Sequence, residues 1–188
     1  EKVASLIRTA RPELIQEVLH VAHCPERVHP GNAIREIIHN DRVVGGTTAD
    51  ATERAARLYR SFSRGTVAET TASTAELAKL AENTFRDINI AYANELSMLC
   101  GECGVDIQEL IRLANMHPRV NIHGPGAGVG GHCIAVDPWF IAAAAPHFTP
   151  LIQMARRVND GKSRWVIEQV QSRAAALEDK LGRPARIG

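Results

Sequence analysis

The chain has 188 residues, 45% of them hydrophobic and 23% charged, with a formal net charge of +1. That length can bury one large core or two small ones, and so even a charge balance excludes the basic footprint of a nucleic-acid binder and an acidic tail. No apolar run approaches the roughly 20 residues a membrane span needs, no signal-peptide pattern opens the chain, and four scattered cysteines (Cys24, Cys100, Cys103, Cys133) read as reduced thiols of a cytoplasmic protein.

Lys2 to Ala10 has helical spacing, broken at Arg11-Pro12. Val18 to Cys24 is a short β-rich run. "GNAIREIIHN" is an amphipathic helix with Ile34, Ile37 and Ile38 on one side. Arg42 to Gly46 reads as a buried strand, Ala49 to Ser63 as a helix and Thr66 to Thr70 as a last strand. Strand, helix and strand joined this closely predict a parallel, doubly wound sheet. The G-x-G-x-x-G of a dinucleotide-binding first strand is not found in this segment.

From Ser73 the strands stop. "STAE" reads as a capping box, with Ser73 or Thr74 as the cap, opening a helix that runs to about Cys100 and is stopped by Gly101 and Gly104. A shorter helix spans Asp106 to Asn115, a brief one follows Pro138, and a long one runs from about Pro150 to Lys180. The expected fold class is therefore α/β plus all-α, a partial Rossmann-type parallel sheet followed by a helical domain with one long helix. The opening at Glu1 inside a helical pattern, and the close in "GRPARIG", suggest a piece of a longer protein.

Three stretches carry candidate chemistry. On the helix from Ser73, at about 100° per residue, Glu76, Lys79, Asn83, Asp87 and Asn94 form one stripe, opposite Leu77, Ala81, Phe85, Ile88 and Tyr92. Spacing alone reads the polar stripe as a solvated face. The sharper reading sets the ammonium of Lys79 beside the amide of Asn83, one turn on, to hold an oxyanion or orient a water. The second stretch, "GPGAGVGGHCIAVDP", packs five glycines into eight residues before Cys133 and Asp137. Bare backbone there would let a bulky polar ligand approach N–H groups, and nearby helix dipoles suit an anionic sulfur. A small buried cysteine beside a turn is the alternative. In the third, "CPER", a strand ends in a Pro turn that places Glu26 at the carboxyl edge of a parallel sheet, where ligands of such folds bind. The "CGEC" pair has C-x-x-C spacing, but no second pair accompanies it and it sits at a helix end. The set His117, His123, His132 and Cys133 matches no common zinc spacing.

Together "CPERVHPG", "TAELAKLAENTFRDINIAYANEL", "ANMHPRVNIHGPGAGVGGHCIAVDPWF" and "ARRVNDGK" resemble the UDP-glucose/GDP-mannose dehydrogenase family, on its UDP-N-acetylmannosamine branch. The resemblance implies that residues 1–72 are the last part of an NAD-binding Rossmann-like domain. It makes 73–180 a central helical domain that forms a homodimer through its long helix, and 181–188 the start of a UDP-binding domain. It implies an oxidoreductase that takes the primary alcohol of a UDP-sugar to the acid in two steps with NAD, through a thioester on Cys133. Lys79 and Asn83 would stabilise oxyanions, Lys79 with Asp137 would position a water, and Glu26 would assist thioester hydrolysis. Gly130, Arg27, His123 and, reaching into the neighbouring subunit, Arg119 would serve the substrate. The NAD fingerprint would lie outside this chain, with no metal required. Members acting on UDP-glucose often carry a second glutamate where this sequence has Pro30, and "PEF" for "PER"; both departures, with His132, favour an N-acetylhexosamine. A non-catalytic dimerisation module, a zinc protein and UDP-glucose as substrate are the competing readings. A piece lacking both nucleotide domains is expected to be inactive alone.

Overall fold

The computed structural model describes residues 2–14, 19–28 and 31–186. The chain divides into two units, Glu1–Ala81 and Glu82–Gly188, with the boundary inside one long helix.

The first unit opens with α1 (Lys2–Ala10) and a 3-10 turn at Pro12–Leu14. Strand β1 covers only Ala22–His23, so of the β-rich run expected from Val18 two described residues pair, and Val18 itself lies outside the described residues. There follow α2 (Ala33–His39), β2 (Arg42–Gly46), α3 (Ala49–Arg60) and β3 (Val67–Thr71). β2 and β3 run parallel, with Arg42 opposite Val67 and Gly46 opposite Thr71, as a strand–helix–strand unit requires. β1 differs. It pairs antiparallel, Ala22 against Gly46 and His23 against Gly45.

Small side chains let α3 lie close on β2. Val44 and Ala56 are fully buried and Ala51 nearly so. Thr48 caps the helix by accepting the N–H of Ala51 at 3.1 Å. A Cβ on Gly45 would stand 2.2 Å from the carbonyl oxygen of Thr71, so only glycine permits that approach.

Helix α4 spans Ala72–Cys103. It starts before the predicted cap: Thr71, at the end of β3, accepts the Thr74 N–H at 3.2 Å, so Ser73 and Thr74 lie inside the first turn. Gly101 does not stop it; Gly104, at φ +68°, does. The second unit continues with α5 (Ile107–Ala114), capped by the Asp106 carboxylate on the N–H of Gln108 and Glu109. A long loop leads to α6 (Asp137–Ala144), a 3-10 turn at Pro146–Phe148, and α7 (Pro150–Leu181), closed by Gly182 in the left-handed region.

The core between α4 and α7 is not oily. Asp87 and Asn94 are fully buried, Asn159 is 1% exposed and Arg156 3%, whereas Phe85 is 63% and Tyr92 52% exposed. The solvated face expected for the polar stripe is thus corrected from Asn83 onward: that stripe points inward and the apolar one outward.

Candidate active site

Cys133 ends the glycine loop with its side chain exposed. Its carbonyl accepts the N–H of Val136 at 3.0 Å and of Asp137 at 2.8 Å, a single turn that feeds into α6. Pro138 sits in the first turn of that helix, where a missing N–H leaves nothing unsatisfied. Asp137 therefore stands one turn from Cys133, and its Oδ2 accepts Asn83 Nδ2 at 2.5 Å. Asn83 is 6% exposed. Its amide nitrogen carries two hydrogens, so one remains for another acceptor. Lys79, half-buried, lies one turn earlier on α4. These contacts bring together Asn83, Asp137 and the Cys133 backbone.

Gly131, at φ +88°, takes a conformation side chains rarely adopt, and Gly130 faces open space. At Gly128 a Cβ would stand 2.7 Å from Ser163 Oγ on α7. His123 is half-buried and donates its backbone N–H to Asn89. Arg119 is exposed in the turn after α5, its N–H directed at His117 Nδ1 at 3.3 Å.

In the first unit, the Oε1 of Glu26 accepts the N–H of Arg27 at 2.5 Å and of Val28 at 2.7 Å, fixing an exposed carboxylate. The antiparallel course of β1 carries Glu26 toward Asp41 and Arg42 at the amino end of β2, not to the carboxyl edge of a parallel sheet. Arg27 reaches the Asp41 carbonyl at 3.5 Å. Pro30 lies outside the described residues. Nearby, burial pushes the Cys24 thiol up, while a hydrogen bond with Tyr59 and the Arg42 charge pull the other way. Gly45 and Gly46, the glycines at the end of β2, are closed by Thr71, Ala75, Thr48 and Thr52. A cavity lined by Gly46, Thr47, Thr48, Thr52 and Thr71 opens beside them at the start of α3, and no NAD contact is assigned to it. Among the described residues no group of three or more His, Cys, Asp or Glu could hold a metal ion, and no helix is long and apolar enough to cross a membrane.

Sequence reasoning missed the seam behind the loop. Arg156 Nη1 contacts Asp87 Oδ1 at 2.6 Å with both side chains buried. Asn159 bonds to Asp87 and to Asn94, and Lys162 Nζ to Ser97 Oγ at 2.6 Å. Arg156, Asn159 and Lys162 recur every third residue on α7, a second polar stripe matching that of α4; two such stripes are the signal for a buried polar seam.

The sequence of the site matches known proteins. Residues 73–161 match the central domain of the UDP-glucose/GDP-mannose dehydrogenase family, and residues 1–63 its NAD binding domain. The chain belongs to that family. It is 53% identical to the UDP-N-acetyl-D-mannosamine dehydrogenase of Escherichia coli (strain K12), over 100% of this chain and 47% of that protein. It is 52% identical to the NDP-N-acetyl-D-galactosaminuronic acid dehydrogenase of Ralstonia nicotianae, over 96% of this chain and 44% of the relative. Among solved structures, the UDP-D-ManNAc dehydrogenase of Pyrococcus horikoshii superposes with a TM-score of 0.85 at 41% identity, over 97% of this chain and 43% of that one. The chain spans about half the length of the curated relatives it matches.

Proposed function

We propose that these residues serve an NAD-dependent nucleotide-sugar dehydrogenase that oxidises the C6 alcohol of UDP-N-acetylmannosamine to the uronic acid. The observation that carries the reading is the bond from Asn83 to Asp137, one turn from the exposed Cys133, inside the span matching the family's central domain. Both relatives named above are, by name, dehydrogenases of nucleotide N-acetylhexosamines or their acids. In the domain reading, residues 1–72 end an NAD-binding domain, 73–180 form the dimerising centre and 181–188 begin a UDP-binding domain. Four free thiols suit a cytoplasmic setting.

The Cys133 thiolate attacks the carbon of the aldehyde made in the first oxidation, forming a C–S bond and leaving negative charge on oxygen. The Lys79 ammonium and the second N–H of Asn83 stabilise that charge. Loss of a hydride from the same carbon turns the thiohemiacetal into a thioester. Each of the two oxidations releases one hydride, and accepting it is the chemistry NAD supplies. Water positioned by Asp137 and Lys79 then adds to the thioester carbon, with Glu26 assisting, and the C–S bond breaks to return the thiolate and the acid. Gly130, Arg27 and His123 serve the sugar, and Arg119 reaches the neighbouring subunit's nucleotide-sugar.

In a full-length enzyme carrying these residues, Cys133→Ser is expected to abolish acid formation while leaving some first-step chemistry, because the first hydride transfer needs no thiol. Lys79→Ala should lower kcat far more than it raises KM, since its charge acts as oxyanions develop, and Lys2→Ala should change neither. Normal acid yield from Cys133→Ser would overturn the assignment. Comparing UDP-N-acetylmannosamine, UDP-N-acetylgalactosamine and UDP-glucose as substrates tests the sugar.

A further inference from the structure

The glycine loop is held at its root by side chains rather than by regular backbone pairing. Asn89 Nδ2 donates to the Asn121 carbonyl at 2.9 Å and its Oδ1 accepts the His123 N–H at 2.8 Å. Asn115 takes both the N–H and the carbonyl of Ile122, at 2.7 and 3.0 Å. Asn94 Oδ1 accepts the Gly126 N–H at 2.9 Å, and Ser163 Oγ donates to the Ala127 carbonyl at 2.6 Å. Residues 121–127 are thus pinned, whereas Gly130, Gly131 and Cys133 beyond them are exposed.

The Asn94 bond has a direction, set from a distance. Arg156 Nη1 donates to Asp87 Oδ1 at 2.6 Å, so that oxygen is an acceptor. The Asn159 nitrogen must therefore face Asp87, and it donates to the carboxylate at 2.8 Å and to the Asp87 carbonyl at 3.0 Å. That turns the Asn159 oxygen toward Asn94, whose nitrogen donates to it at 2.9 Å. Only then does the Asn94 oxygen face Gly126. Reversing either amide would set N–H against N–H or oxygen against oxygen in a buried place, where unmade bonds are costly.

We propose that Asn94, oriented by Asp87 through Asn159, and Asn89 are positioning residues that fix the root of the loop presenting Cys133. The link to catalysis rests on the dehydrogenase reading; the link to the loop does not. The test is peptide-resolved iodoacetamide labelling of the 188-residue chain, read together with hydrogen exchange at His123 and Gly126. Cys103, exposed at the far end of α4, is the internal reference. Asn89→Ala and Asn94→Ala, by releasing the loop root, should each speed Cys133 labelling, with Cys103 unchanged and the His123 or Gly126 amide exchanging faster. Asn89→Asp keeps the acceptor for His123 but sets an oxygen against the Asn121 carbonyl, so it should recover the slow His123 exchange only in part. Unchanged Cys133 labelling overturns the proposal, and so does a parallel change at Cys103, which would report general loosening. In the full-length enzyme the same variants should lower kcat with little change in KM. Altered labelling with full activity would leave the loop anchoring standing and sink the assignment of Cys133.

Discussion

Lys162 is 4% exposed, and its ammonium meets the hydroxyl of Ser97 and the indole of Trp165, 3.8 Å from the ring centroid. Burial holds its pKa below the ordinary lysine value of 10.5. Between the folded and unfolded values the unfolded chain binds the extra proton, so stability rises with pH across that window, and the burial penalty is largest at neutral pH. Lys162→Met removes the titrating group. The difference in urea midpoint, variant minus parent, should therefore be most positive at neutral pH and shrink as pH climbs toward 10.5; a difference that does not vary with pH contradicts the account. At this scale the sequence showed which residues are polar but not which way they point. A stripe of Asn83, Asp87 and Asn94 looks the same whether it meets water or a partner stripe, and the partners Arg156 and Asn159 lie 65 or more residues away along the chain. Asp137 was legible because it sits one turn after Cys133; its contact with Asn83, 54 residues distant, was not.

Turning the polar side of α4 inward leaves Phe85, Ile88, Tyr92 and Leu99 along about 20 Å of its opposite side, three of them more than half exposed. On the dimer reading proposed above, this stripe is the face expected to meet a second copy of the same helix. Phe85→Glu places a charge in the middle of the stripe without touching the buried seam. It should convert the dimer proposed here into monomer by light scattering while helical content by circular dichroism stays constant, and an unchanged mass would rule this face out as the interface. Periodicity revealed the two stripes of α4, and proline and glycine signals located α5, α6 and α7 to within a few residues. They failed at ends set by neighbours. Thr71 caps α4 from the end of β3, and Gly101 is tolerated because the turn around it remains helical. The direction of β1 was illegible for a similar reason: two residues carry no periodic pattern, and pairing with Gly45 and Gly46 fixes their course.

Across the whole molecule, the parallel pair β2–β3 with α3 between them followed from short connections and small buried residues, and the succession of helices after it from the loss of β signals. On the reading proposed above, the 188 residues are not expected to complete the reaction alone. The described residues of the first unit form one three-stranded sheet, whose strand-end glycines are filled by threonine and alanine atoms. The relatives that the chain matches are about twice its length. A thiol loop and an apolar helix face can persist without a bound dinucleotide, because the bonds that hold residues 121–127 all lie within the second unit. Incubated with NAD and UDP-N-acetylmannosamine, the isolated chain should therefore form no NADH, while still running as a dimer and still exposing Cys133 to iodoacetamide. NADH formation by the isolated chain would mean that the dinucleotide finds a cradle among these residues after all, and the proposed division of labour between the two nucleotide-binding domains and this centre would fall.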